Sequence, residues 1–332
     1  MNYVCKICGA QLSRLIEALF DDRHGYVGRF DIYRCEGCGF CQTVPEIPED
    51  KIGEIYTQYY PRKDLIDIEE VKQHPINLLP ERKRWWMGVN NTAHYHIKAG
   101  TRVLDIGCGD CTSVREIEAM GAEGYGIEPD QNIRPIVEAL GLKVHIGLFD
   151  EVPYPDKFFD YITMSQVLEH IHHPIKLLSS FQRILKDDGE IILGVPNVDS
   201  HLRSKYGRQW LNWHVPYHIN HFSRKSLELL AKKSGYWIET IVTITPNLWV
   251  DLQKRLARYP VQEGVKVPFF NGEPEPPLDG EAPGRITILV KRYLDSLRAR
   301  FGHGLFLRIL ALRLIDRLGK GESYLVFLGK SR

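Results

Sequence analysis

Between residues 96 and 247, short apolar runs alternate with amphipathic stretches of helical period, which predicts strands and helices taken in turn. The apolar runs are Arg102–Ile106, Glu123–Pro129, Lys143–Phe149, Phe158–Gln166 and Glu190–Val195. The amphipathic stretches between them are Ser113–Met120, Ile133–Leu140 and Ile175–Leu185, the last closed by a Lys186–Gly189 turn. Such an order predicts an α/β fold with a doubly wound parallel sheet. Trp237–Thr245 adds a sixth strand and Ser323–Leu328 a seventh, with a helix predicted over Asn247–Tyr259. Upstream, helices are expected over Asp50–Tyr59 and over Glu81–His96, where Trp85, Trp86 and Val89 share one side. The chain divides into residues 1–45, a helical connector or lid over 46–95, the alternating unit over 96–247, an insert over 248–319 and a last strand within 320–332. Asn271 to Gly284 is too rich in Pro, Gly and acid to pack, and reads as a mobile loop.

The first alternating strand carries an acid, Asp105, and breaks on Gly107 and Gly109 before a helix. Glycines let a ligand approach the backbone, and the free N–H groups of a helix start favour negative charge. A dinucleotide fingerprint would need a third glycine where Thr112 stands, so a nicotinamide-dependent dehydrogenase is the secondary reading. Glu128, 23 residues past Asp105, ends the second strand, where an acid can accept bonds from ribose hydroxyls.

Cysteines add a separate unit. Cys5-Lys6-Ile7-Cys8 and Cys35-Glu36-Gly37-Cys38 are two C-x-x-C knuckles separated by 26 residues, each followed by a glycine, Gly9 or Gly39. Four thiolates suit a tetrahedral Zn2+ ion, and a closed four-sulfur site is structural because no position stays open for substrate. A β-hairpin with Phe30–Arg34 as its returning strand fills the gap and makes residues 1–45 a small zinc ribbon; four unrelated buried thiols are the alternative. Cys41 is given no role. Five of seven cysteines falling in the first 41 residues points to metal in a reducing cytoplasm rather than to disulfides. The net charge of +1 gives no global field, which argues against nucleic acid as a partner. Neither a signal-peptide layout nor an apolar run near the ~20 residues of a membrane span is found in the sequence.

The glycine turn resembles motif I of class I S-adenosylmethionine-dependent methyltransferases, D/E-x-G-x-G-x-G, with Cys111 in place of the last glycine. The segments D-I-G-C-G, G-I-E-P, P-D-K-F-F-D-Y-I, V-L-E-H-I and L-K-D-D-G-E-I-I-L-G-V-P-N follow in methyltransferase order over residues 102–197. Trp210–Ser223 resembles the "P-x-H-hydrophobic-x-x-F-S" segment of the quinone-O-methyltransferase-like branch. The four-cysteine module joined to this domain resembles bacterial methyltransferases from sugar and polysaccharide pathways. The resemblance implies a Rossmann-like seven-stranded sheet whose last strand is antiparallel and inserts beside the fifth.

It also implies roles. Asp105, Gly107, Cys108 and Gly109 would hold the methionine end and ribose side of S-adenosyl-L-methionine, and Glu128 with Pro129 the ribose hydroxyls. Leu148, Phe149 and Asp150 would flank adenine, although many relatives carry Asp where Leu148 stands. Gln166 would sit near the sulfonium. Methyl transfer is a displacement at carbon, so the protein need only align the partners and, for a hydroxyl acceptor, remove a proton. His214, Tyr217, His218 and His221 crowd into eight residues beyond the fifth strand, where ligands of open α/β sheets sit. His218 occupies the family's histidine position and is the first choice of base, His221 the second; each could instead bond loop backbone. His170 is expected to be structural or cofactor-side, and His172 and His173 solvated.

From Gly284 to Lys320 nine Lys/Arg stand against two acids, interleaved with leucines. Such basic amphipathic helices over 285–319 either cap the domain with their charges in solvent or touch an anionic membrane face. The sequence therefore predicts a cytoplasmic, zinc-bearing methyltransferase for a small-molecule acceptor, a sugar or glycan hydroxyl first. A phenolic or quinone-like ring, or a non-catalytic cofactor-binding scaffold, are the alternatives. The oligomeric state is not legible.

Overall fold

The N-terminal segment folds as an antiparallel meander, β1 (Leu12–Leu19), β2 (Phe30–Cys35) and β3 (Cys41–Val44), as the hairpin between the two knuckles requires. The computed structural model describes residues 3–59, 76, 78–149, 152–271 and 303–331. Asp150, residues 60–75 and 77 of the connector, the Pro/Gly loop after Asn271, and Arg285, Lys291, Arg292, Arg298 and Arg300 lie outside the described residues.

The alternating unit forms β4 (Arg102–Ile106), β5 (Glu123–Glu128), β6 (Val144–Ile146), β7 (Phe159–Ser165) and β8 (Leu185–Pro196), with helices at Thr112–Ala119, Arg134–Leu140 and Pro174–Ile184. A two-residue strand, β9 (Asn220–His221), follows, then β10 (Tyr236–Ile244) and β11 (Ser323–Lys330). The seven-stranded sheet has the order β10-β11-β8-β7-β4-β5-β6, parallel except that β11 runs antiparallel between β8 and β10. Both faces are covered, as its near-continuous apolar strands demand. Leu104, Ile162, Ile191 and Leu193 pack on one side with Leu178 and Phe181, while Val103, Ile192 and Leu325 pack on the other with Ile117.

Three expectations change. The helix predicted over Glu81–His96 ends at Met87, because Gly88 turns left-handed (φ +72°) against the Thr245 carbonyl and the Arg313 guanidinium; Ala93–His96 is a separate 3-10 turn. The Lys186–Gly189 turn is absorbed into β8 as an irregularity, between the Phe159–Leu185 and Tyr161–Glu190 pairs. The third strand is confined to Val144–Ile146 at the sheet edge.

The cysteine module is also not a separate layer. β9 pairs with β3, Cys41 opposite His221 and Gln42 opposite Asn220, so a second sheet of order β1-β2-β3-β9 joins the module to the loop beyond β8. In the C-terminal insert, the helix His303–Arg317 presents Leu307, Leu310 and Leu314 to solvent and turns Arg313 inward. Arg313 donates to the Thr245 carbonyl (2.5 Å) and is buried, whereas Arg308 pairs with Asp251 (2.5 Å) at the partly exposed surface. Among the described residues no helix is long and apolar enough to cross a membrane.

Candidate functional site

The turn after β4 is built for close approach. Gly107 (φ +71°) and Gly109 (φ +61°) take left-handed backbone, and a Cβ on Gly109 would meet nothing within 4 Å. Asp105 is buried and accepts from Ser113 Oγ and Thr163 Oγ1, both at 2.5 Å; burial raises its pKa. It therefore braces the turn from below. Glu128, also buried, accepts the Gly109 N–H at 2.9 Å through Oε2 and the Asp130 N–H at 3.3 Å through Oε1. The end of the second strand is thus tied directly to the glycine turn.

Cys111 adopts the left-handed conformation of the glycine it replaces (φ +65°), and its side chain turns into a small core with Cys108, Val114, Ile133 and Ile136. Only the backbone of Cys108 is left to face a ligand, since its thiol is buried in the same cluster. Pro129 is exposed, as is Leu148 at 56%, whereas Phe149 packs edge-on against Phe181 at 4.9 Å. Gln166 leaves β7 with φ +57°, held by its N–H on the Gly194 carbonyl (2.7 Å) and by Nε2 to Ser323 Oγ (3.4 Å). These residues line the carboxyl ends of β4 to β7, where open α/β sheets hold ligands.

The second group is the histidine loop. His214, Tyr217, His218 and His221 are all buried and in mutual ring contact, with His214–Tyr217 at 4.9 Å, His214–His218 at 4.8 Å and His218–His221 at 6.4 Å. His218 Nδ1 is bonded to the Asn212 carbonyl at 2.9 Å, which assigns the proton to Nδ1 and leaves the lone pair on Nε2. That nitrogen faces Glu169 Oε1 at 4.0 Å. Glu169 has no exposure, neither of its oxygens has a hydrogen-bond partner among the described residues, and burial pushes it up to about 8. Burial also pushes His214 and His218 well below the ordinary imidazole range, and His221 down to about 3. His170 Nδ1 bonds the Tyr217 carbonyl at 2.8 Å and its ring meets that of His218 at 4.8 Å. His172 is not solvated, since it bonds the Ile47 carbonyl at 2.7 Å and so ties the connector to the domain; His173 is exposed.

A family model described as a methyltransferase domain matches residues 79–241. This is a methyltransferase domain of the S-adenosylmethionine-dependent class. A tRNA U34 carboxymethyltransferase of Aeromonas salmonicida is 24% identical over 284 residues, covering 81% of this chain and 83% of that protein. A ubiquinone biosynthesis O-methyltransferase of Paraburkholderia phymatum is 25% identical over 187 residues, 52% of this chain and 77% of that one. Among solved structures, an S-adenosylmethionine-dependent methyltransferase from Archaeoglobus fulgidus aligns over 80% of this chain and 95% of its own at 17% identity, with a TM-score of 0.44.

The methyltransferase carries its four module cysteines as one cluster. The Sγ atoms of Cys5, Cys8, Cys35 and Cys38 all lie within 4.8 Å of one another, with Cys5–Cys38 at 3.6 Å and Cys8–Cys35 at 3.3 Å. Four Zn–S bonds of about 2.3 Å in a tetrahedron place sulfurs about 3.8 Å apart, so the donor set fits one ion.

Two residues of the methyltransferase are not singled out by the sequence reading: Glu169, distinguished by its burial, and Thr43, whose hydroxyl reaches the histidine loop. For Glu169 the V-L-E-H-I motif was the available hint; nothing local marks Thr43.

Proposed function

We propose that this methyltransferase carries the methyl group of S-adenosyl-L-methionine to a hydroxyl of a small molecule, a sugar or glycan intermediate, with His218 as the proton acceptor. The carrying observation is the His218 ring: Nδ1 is committed to the Asn212 carbonyl, and Nε2 stands bare beside Glu169. When bound, the cofactor supplies an electrophilic methyl on a sulfonium. Gly107, Gly109 and the Cys108 backbone would admit it, with Asp105 bracing the turn and Glu128 accepting from its ribose. Pro129, Leu148, Phe149 and Gln166 would flank it, and Asp150 retains the adenine-side role only as an expectation. The open space before Gly109 and the buried acid tied to its N–H support that fit.

Around the acceptor, the chain's own work is orientation, exclusion of water and removal of one proton. His218 Nε2 would take the hydroxyl proton, and burial keeps the ring neutral before that step. His221, Tyr217 and His214 would hold the acceptor in place. The Cys5, Cys8, Cys35 and Cys38 cluster would bind Zn2+ as a structural ion.

A phenolic or quinone-like ring is the second acceptor reading; the lining beside Tyr217 and His170 is apolar (Ile47, Ile52, Ile55, Pro216 and Ile219), but the space it encloses is about 20 Å3, room for about one water. The chain's near-neutral charge supports a small molecule over the tRNA named for one relative. The test is S-adenosylhomocysteine release with sugar nucleotides, phenolic substrates and tRNA offered separately. His218→Ala should cut turnover roughly 100-fold or more while leaving S-adenosylhomocysteine affinity within about twofold. Loss of both together would make His218 a structural residue and sink the assignment.

A further inference from the structure

The histidine loop is held from the cysteine module by two routes that meet around Thr43. Along the first, β9 extends the module's sheet through β3, and the Thr43 N–H donates to the Ile219 carbonyl at 3.1 Å. The fully buried Thr43 hydroxyl lies 2.6 Å from the His218 carbonyl and 3.1 Å from His221 Nε2. A hydroxyl has one proton, and the carbonyl can only accept. Thr43 Oγ1 therefore donates to His218 and accepts the Nε2–H of His221. One side chain thereby fixes the backbone at the first histidine and the tautomer of the second. His221 Nδ1, left as the lone-pair nitrogen, has no hydrogen-bond partner among the described residues.

The second route starts on a metal-type residue. Ser223 Oγ donates to the Cys38 carbonyl at 2.6 Å and accepts the Ser226 N–H at 3.1 Å, capping the helix Arg224–Lys233 just beyond His221. Gly39 permits this approach, since a Cβ there would lie 3.0 Å from Ser223 Oγ. On its opposite side the loop is clamped by the domain: the Ile219 N–H donates to the Glu169 carbonyl at 2.9 Å, and Asn220 Nδ2 to the Ile171 carbonyl at 2.6 Å. The four histidine-loop residues thus lie between a knuckle of the cysteine cluster and the turn that carries Glu169.

We infer that Thr43 is a positioning residue for His218 and His221, and that the metal-bound state of the four-cysteine cluster sets the order of the histidine loop through β3 and the Cys38–Ser223 bond. This rests on the zinc reading above. The module is then part of the acceptor site's frame rather than an appended domain. Losing the ion frees the Cys35–Cys38 knuckle, and with it the Cys38 carbonyl and the start of β3. The loop loses its support on that side while the cofactor turn, braced by Asp105 and Glu128, keeps its own.

The experiment is amide hydrogen exchange on the full chain, zinc-loaded and after chelation, with Thr43→Val and Thr43→Ser as variants. It needs neither acceptor nor turnover, so its failure is distinct from failure of His218 as base. Removing zinc should speed exchange of residues 218–223 about fivefold or more, with residues 106–111 unchanged. Thr43→Val, nearly isosteric, should give the same local acceleration with zinc retained, and Thr43→Ser should restore the wild-type rate. Unchanged exchange at 218–223 after zinc loss, or an equal rise throughout the chain, overturns the coupling. Wild-type exchange in Thr43→Val overturns the positioning role. A chain that takes up no zinc overturns the metal half, and the two Thr43 variants still decide the other.

Discussion

Glu169 Oε1 stands 4.0 Å from His218 Nε2, with neither side chain more than 9% exposed. Burial raises the carboxyl to about 8 and lowers the imidazole, so near neutral pH both groups favour their uncharged forms. The consequence for stability has a definite sign. A folded-state value of about 8 against an ordinary 4.5 means the folded chain holds the extra proton between those limits. Stability from this group is full below about pH 4.5 and is lost as pH rises toward 8. Glu169→Gln abolishes the titration. Urea unfolding of both proteins at pH 5 and pH 8 should show the wild type losing stability relative to the variant at the higher pH. The lowered histidines push the other way in both proteins and cancel in the difference. A pH-independent difference would refute a buried, proton-bearing Glu169.

The two turn glycines separate folding from binding. Both have positive φ, but a Cβ on Gly107 would meet Val167 Cγ2 at 2.5 Å, while one on Gly109 meets open space. Left-handed backbone costs an alanine about 1 kcal/mol, and overpacking adds about 1–3. Gly107→Ala should therefore lose about 2–4 kcal/mol in urea unfolding. Gly109→Ala should lose about 1 kcal/mol yet weaken S-adenosylhomocysteine binding by tenfold or more in calorimetry, because its methyl occupies the ligand's space. Equal stability losses, or full affinity in Gly109→Ala, would contradict this division.

What could be read in advance follows the range of the interactions. β4 begins and ends where the apolar run does, because an interior parallel strand is buried on both faces and its pattern is local. The antiparallel β11, inserted beside β8, was legible through the family resemblance. The Glu81–His96 helix failed because Gly88 packs against Thr245 and Arg313, far along the chain. Arg313 looked like one more solvated cation and is instead spent on buried carbonyls. Cys111, in place of motif I's last glycine, takes left-handed backbone and packs its side chain into the core with Cys108, Val114, Ile133 and Ile136. Thr43 and His221 are 178 residues apart, and no local period encodes their meeting.

The cysteine cluster makes a prediction that separates ligand from bystander. Cys35 is fully buried among the four sulfurs, whereas Cys41 is equally buried but lies outside the set, its nearest polar contact the Gly39 carbonyl at 3.9 Å. Cys35→Ser should lower bound zinc from one per chain toward zero and reduce Tm by more than about 5 °C, since binding free energy at such sites is folding free energy. Cys41→Ser should keep its zinc. Atomic absorption with thermal melts checks both, and retention of a full equivalent by Cys35→Ser would rule out the four-sulfur site.

Glu128 allows the cofactor reading to be tested without an acceptor. Its buried carboxyl group accepts the Gly109 and Asp130 N–H groups, and the donor's ribose hydroxyls are the further partners proposed for it. Glu128→Gln preserves shape and one acceptor oxygen but removes the charge. Hydrogen bonds to charged groups contribute about 1.5–3 kcal/mol, so S-adenosylhomocysteine should bind about 10- to 100-fold more weakly. Turnover at saturating donor should change little, because the ribose contact is made equally before and during methyl transfer. An unchanged Kd would remove Glu128 from the cofactor site. A loss confined to kcat would place it with the acceptor instead.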